Sequence, residues 1–208
     1  MKIADIEIKN GICLAPLAGV SDRTFRAMAR RFGAEYTVSE MVSAKALCFK
    51  DAKTAVLARI RREEHPIAIQ IFGSDPETMA KAAKMLATGS YKGCVSEIAP
   101  VAIDINMGCP FPMQAKHGRG SGLLAHTDII QEISQAIQEK KHLHFSVKMR
   151  LGWESQEEWK PVLDILNDTP LRQITLHPRI GTQQYKGKTD MEAFAEFYAR
   201  CKHPLIYN

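Results

Sequence analysis

Apolar residues in this chain cluster in short runs separated by longer amphipathic stretches. The runs fall at residues 12–15, 36–39, 67–71, 102–105, 145–149, 173–176 and 205–207. None exceeds five residues, and consecutive positions are apolar, which suits strands covered on both faces, as in a parallel sheet. The stretches between them read as helices. Ser21 or Asp22 caps a helix with Phe25, Met28, Ala29 and Phe32 on one face, and Gly33 ends it. Residues 52–62 read as one helix closing on Arg59, Arg61 and Arg62. Asp75-Pro76 is a cap followed by a first-turn proline, with Met79, Ala82, Ala83 and Leu86 as the buried stripe. Thr127 caps a helix carrying Ile129, Ile130, Ile133 and Ile137. Ser155-Gln156-Glu157-Glu158 fits a capping box, although Pro161 moves the regular helix later, and Asp190 precedes Phe194, Phe197 and Tyr198.

Strand–helix alternation of this kind means an α/β fold with a parallel sheet. An open doubly wound sheet gathers its ligand groups at one switch point, whereas a (β/α)8 TIM barrel collects them from many strand ends around one mouth. Here nearly every strand ends in polar or conformationally special residues: Pro16 to Gly19, Ser39-Glu40-Met41, Gln70 to Gly73, Asn106 to Pro110, Lys148-Met149-Arg150, His177-Pro178-Arg179 and Asn208. The barrel fits better. Such barrels usually need about 250 residues. A chain of 208 residues is therefore expected to be an incomplete TIM barrel with about seven of the eight strands, a single domain over 1–208 without the last strand–helix unit.

Composition adds limits. No apolar run approaches the roughly 18 residues of a membrane span, and Met1 to Glu7 alternates apolar and charged residues, unlike a signal peptide. The five cysteines are scattered and form no C-x-x-C, which points to a reducing cytoplasm and away from a disulfide framework or a zinc site. A net charge of +5 permits a polyanionic partner without requiring one.

One stretch organises the chemistry. Residues 102–105 read as a buried strand, and Asn106-Met107-Gly108-Cys109-Pro110 as the sharp turn after it. Pro110 keeps Cys109 out of the helical region, so a thiol stands on a stiff turn at a strand's carboxyl end. A lone cysteine is more often a small core residue. The neighbouring Gly118-Arg119-Gly120-Ser121-Gly122 reads as a mobile basic loop, unsuited to sealing a thiol in a core.

With these residues in view, the chain resembles the tRNA-dihydrouridine synthase family. The likeness runs through Ala15-Pro16-Leu17-Ala18-Gly19-Val20-Ser21-Asp22, Ser39-Glu40-Met41-Val42, Gln70-Ile71-Phe72-Gly73-Ser74-Asp75-Pro76, Asp104 to Pro110, Gly118 to Leu124, Val147 to Trp153 and His177-Pro178-Arg179, in that order. Each is weak alone; together, each at a strand end, they are specific. The resemblance implies an FMN-dependent barrel that reduces uridine to 5,6-dihydrouridine in tRNA with NADPH as reductant. It implies backbone contacts to the flavin from Pro16, Leu17 and Ala18, and side-chain contacts from Gln70, Lys148, His177 and Asn208. Cys109 matches the proton donor; Asn106, Arg150 and Arg179 match residues lining the substrate site; Lys116 matches a residue on the loop facing RNA. No metal and no membrane are implied, and the full-length protein is expected to be a cytoplasmic monomer.

The residue chemistry agrees. A reduced isoalloxazine is anionic and needs a cation at its N1–C2=O edge, which a lysine supplies as a compact charge. A glutamine offers the donor and acceptor that a flavin pyrimidine edge requires. An unperturbed thiol is mostly protonated at neutral pH and can serve as an acid. The family pattern continues past Asn208 with a second phosphate-gripping loop and a helical tRNA-binding domain, so this chain alone is expected to show weak or no FMN retention and little or no activity, and restoring that region is expected to rescue both. Two other readings stay open: another FMN barrel of the dihydroorotate dehydrogenase or ene-reductase type, and an inactive truncated fragment that only binds RNA.

Overall fold

A computed structural model describes residues 2–3, 6–88, 90–91, 94–139 and 143–208, with backbone only for 90, 91, 94, 95 and 137. Seven parallel strands form the main sheet: β1 (Cys13–Leu14), β2 (Tyr36–Val38), β3 (Ile67–Phe72), β4 (Ala102–Met107), β5 (Phe145–Gly152), β6 (Leu171–Ile180) and β7 (Leu205–Tyr207). They lie side by side in chain order, and a short segment, Val42–Ser43, adds to the end of β3. The sheet curls until residues of β1, β2, β4, β5, β6 and β7 line one interior space. This is a (β/α) barrel of seven strands, open between β1 and β7, which do not pair among the described residues.

The register explains how one sequence pattern serves two layers. Ile71 of β3 pairs with Ile105, which pairs with Val147, which pairs with Ile174. These positions belong to the apolar layer between sheet and helices. The alternate positions face the barrel axis, because side chains along a strand alternate in direction. There Gln70 stands beside Asp104, Asp104 beside Ser146, and Ser146 beside Gln173. The amino end of the lumen is apolar, and Ile3 and Ile8, from and beside an antiparallel hairpin (Lys2–Ile3 with Ile6–Glu7), pack there against Tyr36, Ala68 and Ala102. The lumen is thus plugged with hydrocarbon below and polar above.

The helices are α1 (Arg23–Arg31), α2 (Ala44–Cys48), α3 (Ala52–Leu57), α4 (Pro76–Ala87), α5 (Pro112–Lys116), α6 (Thr127–Gln138), α7 (Trp159–Asn167) and α8 (Met191–Arg200). Several follow the sequence reading. Asp75 caps α4 with Pro76 in its first turn, and Met79, Ala82, Ala83 and Leu86 are its buried stripe. Asp190 caps α8, whose Phe197 packs 5.1 Å from the Trp159 ring. α7 starts at Trp159, after a turn in which the Glu158 carboxylate accepts from the Trp153 and Ser155 amides at 2.7 and 2.8 Å.

Three elements differ. Residues 52–62 are not one helix: α3 stops at Leu57 with Ala58 as its C-cap, and a separate 3₁₀ turn follows at Arg62–Glu64. Thr127 is the first residue of α6 rather than its cap; the Ile130 amide donates to the His126 carbonyl at 3.1 Å. α1 starts at the expected cap, Asp22, but its expected apolar face is turned outward, with Phe32 84% and Met28 49% exposed. Arg26 is buried instead.

Arg26 explains that rotation. Its guanidinium bonds Glu64 at 2.6 Å through Nη2 and at 2.8 Å through Nε, and donates to the Ser21 carbonyl at 2.8 Å. The other Glu64 oxygen accepts from the Arg61 amide at 2.7 Å. Burial pushes the Glu64 carboxyl up in pKa, and Arg26 is the main opposing influence. Removing one partner of a buried pair strands the other, at a cost of about 3–5 kcal/mol. Arg26→Ala is therefore expected to lower the denaturant midpoint severely, whereas Arg26→Ala combined with Glu64→Gln should recover part of the loss; urea unfolding of the two variants checks this.

Candidate active site

At the carboxyl end of the strands lies a cavity of about 310 Å³. Pro16, Leu17 and Ala18 wall it from the turn after β1, Gln70 from β3, Asn106 and Cys109 from β4 and its turn, Lys148 and Arg150 from β5, His177 from β6 and Asn208 after β7. Met41 and Tyr185 complete it. Of the residues singled out in the sequence, Lys116 and Arg179 alone do not line this space. Lys116 is exposed at the end of α5. Arg179 stands behind His177, with Nη1 3.1 Å from its Nε2 and Nη2 2.8 Å from the Gly187 carbonyl. A second cavity of about 330 Å³, beside α2 and α4, is lined by Phe49, Phe72, Met79, Lys45 and Arg119 among others, with no thiol, imidazole or side-chain amide.

The thiol's backbone is held from three sides. Asn106 Oδ1 accepts from the Gly108 and Cys109 amides at 3.1 and 2.9 Å. The Ser121 amide and hydroxyl donate to the Cys109 carbonyl at 3.0 and 2.8 Å. Arg150 Nε donates to the Gly108 carbonyl at 3.0 Å, and its Nη1 reaches the Ile180 and Gln184 carbonyls at 3.0 and 2.8 Å. Residues 118–122 differ from the sequence reading. They are not an open mobile loop but a largely buried 3₁₀ turn packed on Cys109, and Arg119 alone in that stretch is partly exposed. At Gly120, with φ +58°, a Cβ would lie 2.7 Å from the Cys109 carbonyl oxygen. Only glycine accepts both that dihedral and that approach.

Beneath the mouth, Asp104 is almost wholly buried. Its carboxylate accepts from Gln70 Nε2 at 2.8 Å and from the Ser146 hydroxyl at 2.6 Å. Gln70 Oε1 accepts from Asn106 Nδ2 at 2.7 Å. Burial pushes the Asp104 carboxyl up, against the hydrogen bonds of Ser146 and Gln70 and the charge of Lys148. Burial likewise pushes Lys148 down to about 8, with Asp104 opposing. His177 is pushed down to about 4 by burial and by the cations Arg150, Lys148 and Arg179. Its ring is therefore neutral at physiological pH. Arginine only donates, so the nitrogen facing Arg179 is the acceptor and the ring proton sits on Nδ1.

Glu40 was not singled out as a site residue. It is buried and accepts the Gly19 amide, tying the end of β2 to the turn after β1 that walls the cavity. Its signal in the sequence was a carboxylate directly after a strand, where water is scarce. Ser21 stiffens the same turn, accepting from the Leu17 amide at 2.8 Å while donating to its carbonyl at 3.1 Å.

Comparison with known proteins gives a consistent answer. A family model described as dihydrouridine synthase matches residues 13–208. tRNA-dihydrouridine synthase B of Vibrio cholerae is 33% identical over 209 aligned residues, covering 100% of this chain and 62% of the relative. A probable tRNA-dihydrouridine synthase of Helicobacter pylori strain J99 is 37% identical, covering 98% of this chain and 60% of its own length. One of Treponema pallidum is 33% identical, covering 94% and 57%. The chain thus spans about 60% of the length of these curated relatives.

Proposed function

The chain belongs to the dihydrouridine synthase family, and from that premise we propose that it reduces uridine in tRNA to 5,6-dihydrouridine, with FMN as resident cofactor and NADPH as reductant. The observation that carries this reading is the convergence of Gln70, Asn106, Cys109, Lys148, Arg150, His177 and Asn208, from separate strand ends, on one cavity. The donor set fits an isoalloxazine: a fixed glutamine amide, a partly buried ammonium and a neutral imidazole for the polar edge, with Pro16, Leu17, Ala18 and Met41 as apolar surface. When bound, the reduced flavin supplies hydride to C6 of uracil.

The chain's own residues do the rest. Lys148 holds positive charge at the ring's polar edge below pH of about 8. Gln70 presents one N–H and one lone pair not used by Asp104 or Asn106. His177, neutral with its proton on Nδ1, donates and does not compete as a cation. Cys109 Sγ gives its proton to C5 of uracil, completing addition across the double bond. The base must leave the RNA stack to reach this depth, and the exposed Lys116 and partly exposed Arg119 and Arg179 offer positive charge to the flanking phosphates.

The test is incubation of unmodified tRNA transcript with the purified chain extended by the family's C-terminal region, excess FMN and NADPH, followed by nucleoside analysis. Dihydrouridine formation in step with NADPH consumption is the expected result. Unmodified tRNA together with rapid turnover of small enones or of dihydroorotate would assign the chain to another flavin chemistry.

A further inference from the structure

We propose that Asp104 is a positioning residue whose carboxylate sets the direction of a chain of side-chain amides ending on the backbone of Cys109. The chain runs Asp104, Gln70, Asn106, then the amides of Gly108 and Cys109, with links of 2.8, 2.7, 3.1 and 2.9 Å. Its two ends can each be used in one way only. Both Asp104 oxygens accept, one from Gln70 and one from the Ser146 hydroxyl, and a backbone N–H donates and never accepts. Gln70 must therefore turn its NH₂ toward Asp104 and its oxygen toward Asn106. Asn106 must turn its NH₂ toward Gln70 and its oxygen toward the two amides. A carboxamide is nearly symmetric in shape, so packing alone does not choose between its two orientations. The backbone amides make that choice from one end and Asp104 from the other, two residues before Asn106 on β4 and out of the cavity that holds the thiol.

The placement supports this. Gln70 and Asp104 are direct register partners in neighbouring strands, and both are buried with almost no solvent to offer an alternative partner. Asp104 does not line the cavity of the thiol, so it reaches the reaction through its neighbours, by hydrogen bonds through Gln70 and Asn106 and by charge through Lys148. That consequence for catalysis rests on the function proposed above; the direction of the amides does not.

The polarity can be moved without changing shape or net charge. In Asp104→Asn the new amide can pair with Gln70 in either orientation, so the chain keeps only the instruction from the backbone amides and its links to them weaken. In the double variant Asp104→Asn with Gln70→Glu the carboxylate shifts one link along. The carboxamide introduced at position 104 then donates to the carboxylate introduced at position 70. That carboxylate also accepts from Asn106, and Ser146 still donates to the side chain at position 104. Ser146→Ala is the control, because it removes the other hydrogen bond to Asp104 and leaves the amide chain alone.

Amide hydrogen exchange on the 208-residue chain reads the outcome directly, with exchange at Ile105 in the same strand as internal reference. Asp104→Asn is expected to speed exchange at Gly108 and Cys109 about fivefold or more, as loss of a roughly 1 kcal/mol hydrogen bond implies. The double variant should return both to within about twofold of the parent, and Ser146→Ala should leave them unchanged. Unchanged exchange in Asp104→Asn, failure of a folded double variant to restore protection, or equal loss in Ser146→Ala would each overturn the proposal. In tRNA assays Asp104→Asn should lower kcat by more than it raises KM for tRNA. A parent chain that makes no dihydrouridine even when extended by the family's C-terminal region would refute the functional reading while leaving the exchange result to decide the relay.

Discussion

Cys109→Ala is expected to slow uridine reduction by about two to four orders of magnitude, the range a positioned general acid supplies, while FMN affinity changes little. The separation of effects follows from how the residue is attached. Every contact that fixes the turn is made by backbone: the Cys109 amide to Asn106, and the Cys109 carbonyl to Ser121. Alanine keeps all of them. What leaves is the sulfur and its proton, at a half-buried position on the cavity wall. Cys109→Ser should fall between, since a hydroxyl occupies the same place but is a far weaker acid. Single-turnover reduction of tRNA, started from pre-reduced enzyme, isolates the protonation step. Equal rates for the parent and the alanine variant would remove Cys109 from the reaction.

How far the sequence carries this picture depends on which neighbours decide each element. The strands were legible as short apolar runs, but not their two layers: Ile69, Ile71, Ile103, Ile105 and Val147 are apolar for the helices, while Gln70, Asp104 and Ser146 between them are polar for the lumen. Strand-end chemistry was legible as well. α1 was misread because periodicity sees one helix at a time. Its orientation is set by Arg26 meeting Glu64, 38 residues away, and no spacing within the helix records that. The helix read over 52–62 stops at Leu57 because the backbone beyond it turns to distant partners, the Ile60 amide to Ser96 and the Arg62 amide to Glu97. The glycine-rich stretch after α5 was read as mobile because glycine is permissive; here the same property lets the backbone press against Cys109. The direction of the amides in the lumen lay beyond sequence reasoning, since it follows from contacts between side chains of different strands.

Lys148→Met is expected to make the chain more stable and nearly inactive, and the two effects share one cause. Burial holds the Lys148 ammonium at a pKa of about 8 against an ordinary 10.5. Between those values the unfolded chain binds more protons than the folded one, so stability rises with pH from about 8 toward 10.5. Below about 8 the folded protein carries the full cost of the charge. Solvent in the open cavity reduces that cost, and Asp104 loses a compensating cation when the lysine goes. A net gain of about 1–2 kcal/mol at pH 7, or ~2–8 °C in Tm for a chain of this size, is the expected balance. The alkaline rise in stability should vanish with it. Turnover should fall by about two orders of magnitude, the usual loss when a preorganised charge is removed from a reacting site. In the parent, uridine reduction should decline as pH passes about 8, because the ammonium and not His177 titrates there. Lys148→Arg should keep its charge through pH of about 10 and weaken that decline, although a planar guanidinium fits the same space less well. Thermal unfolding and pH–rate profiles of the three proteins decide it. A lowered Tm in Lys148→Met would mean that the ammonium contributes to folding, and that its place at the mouth is structural.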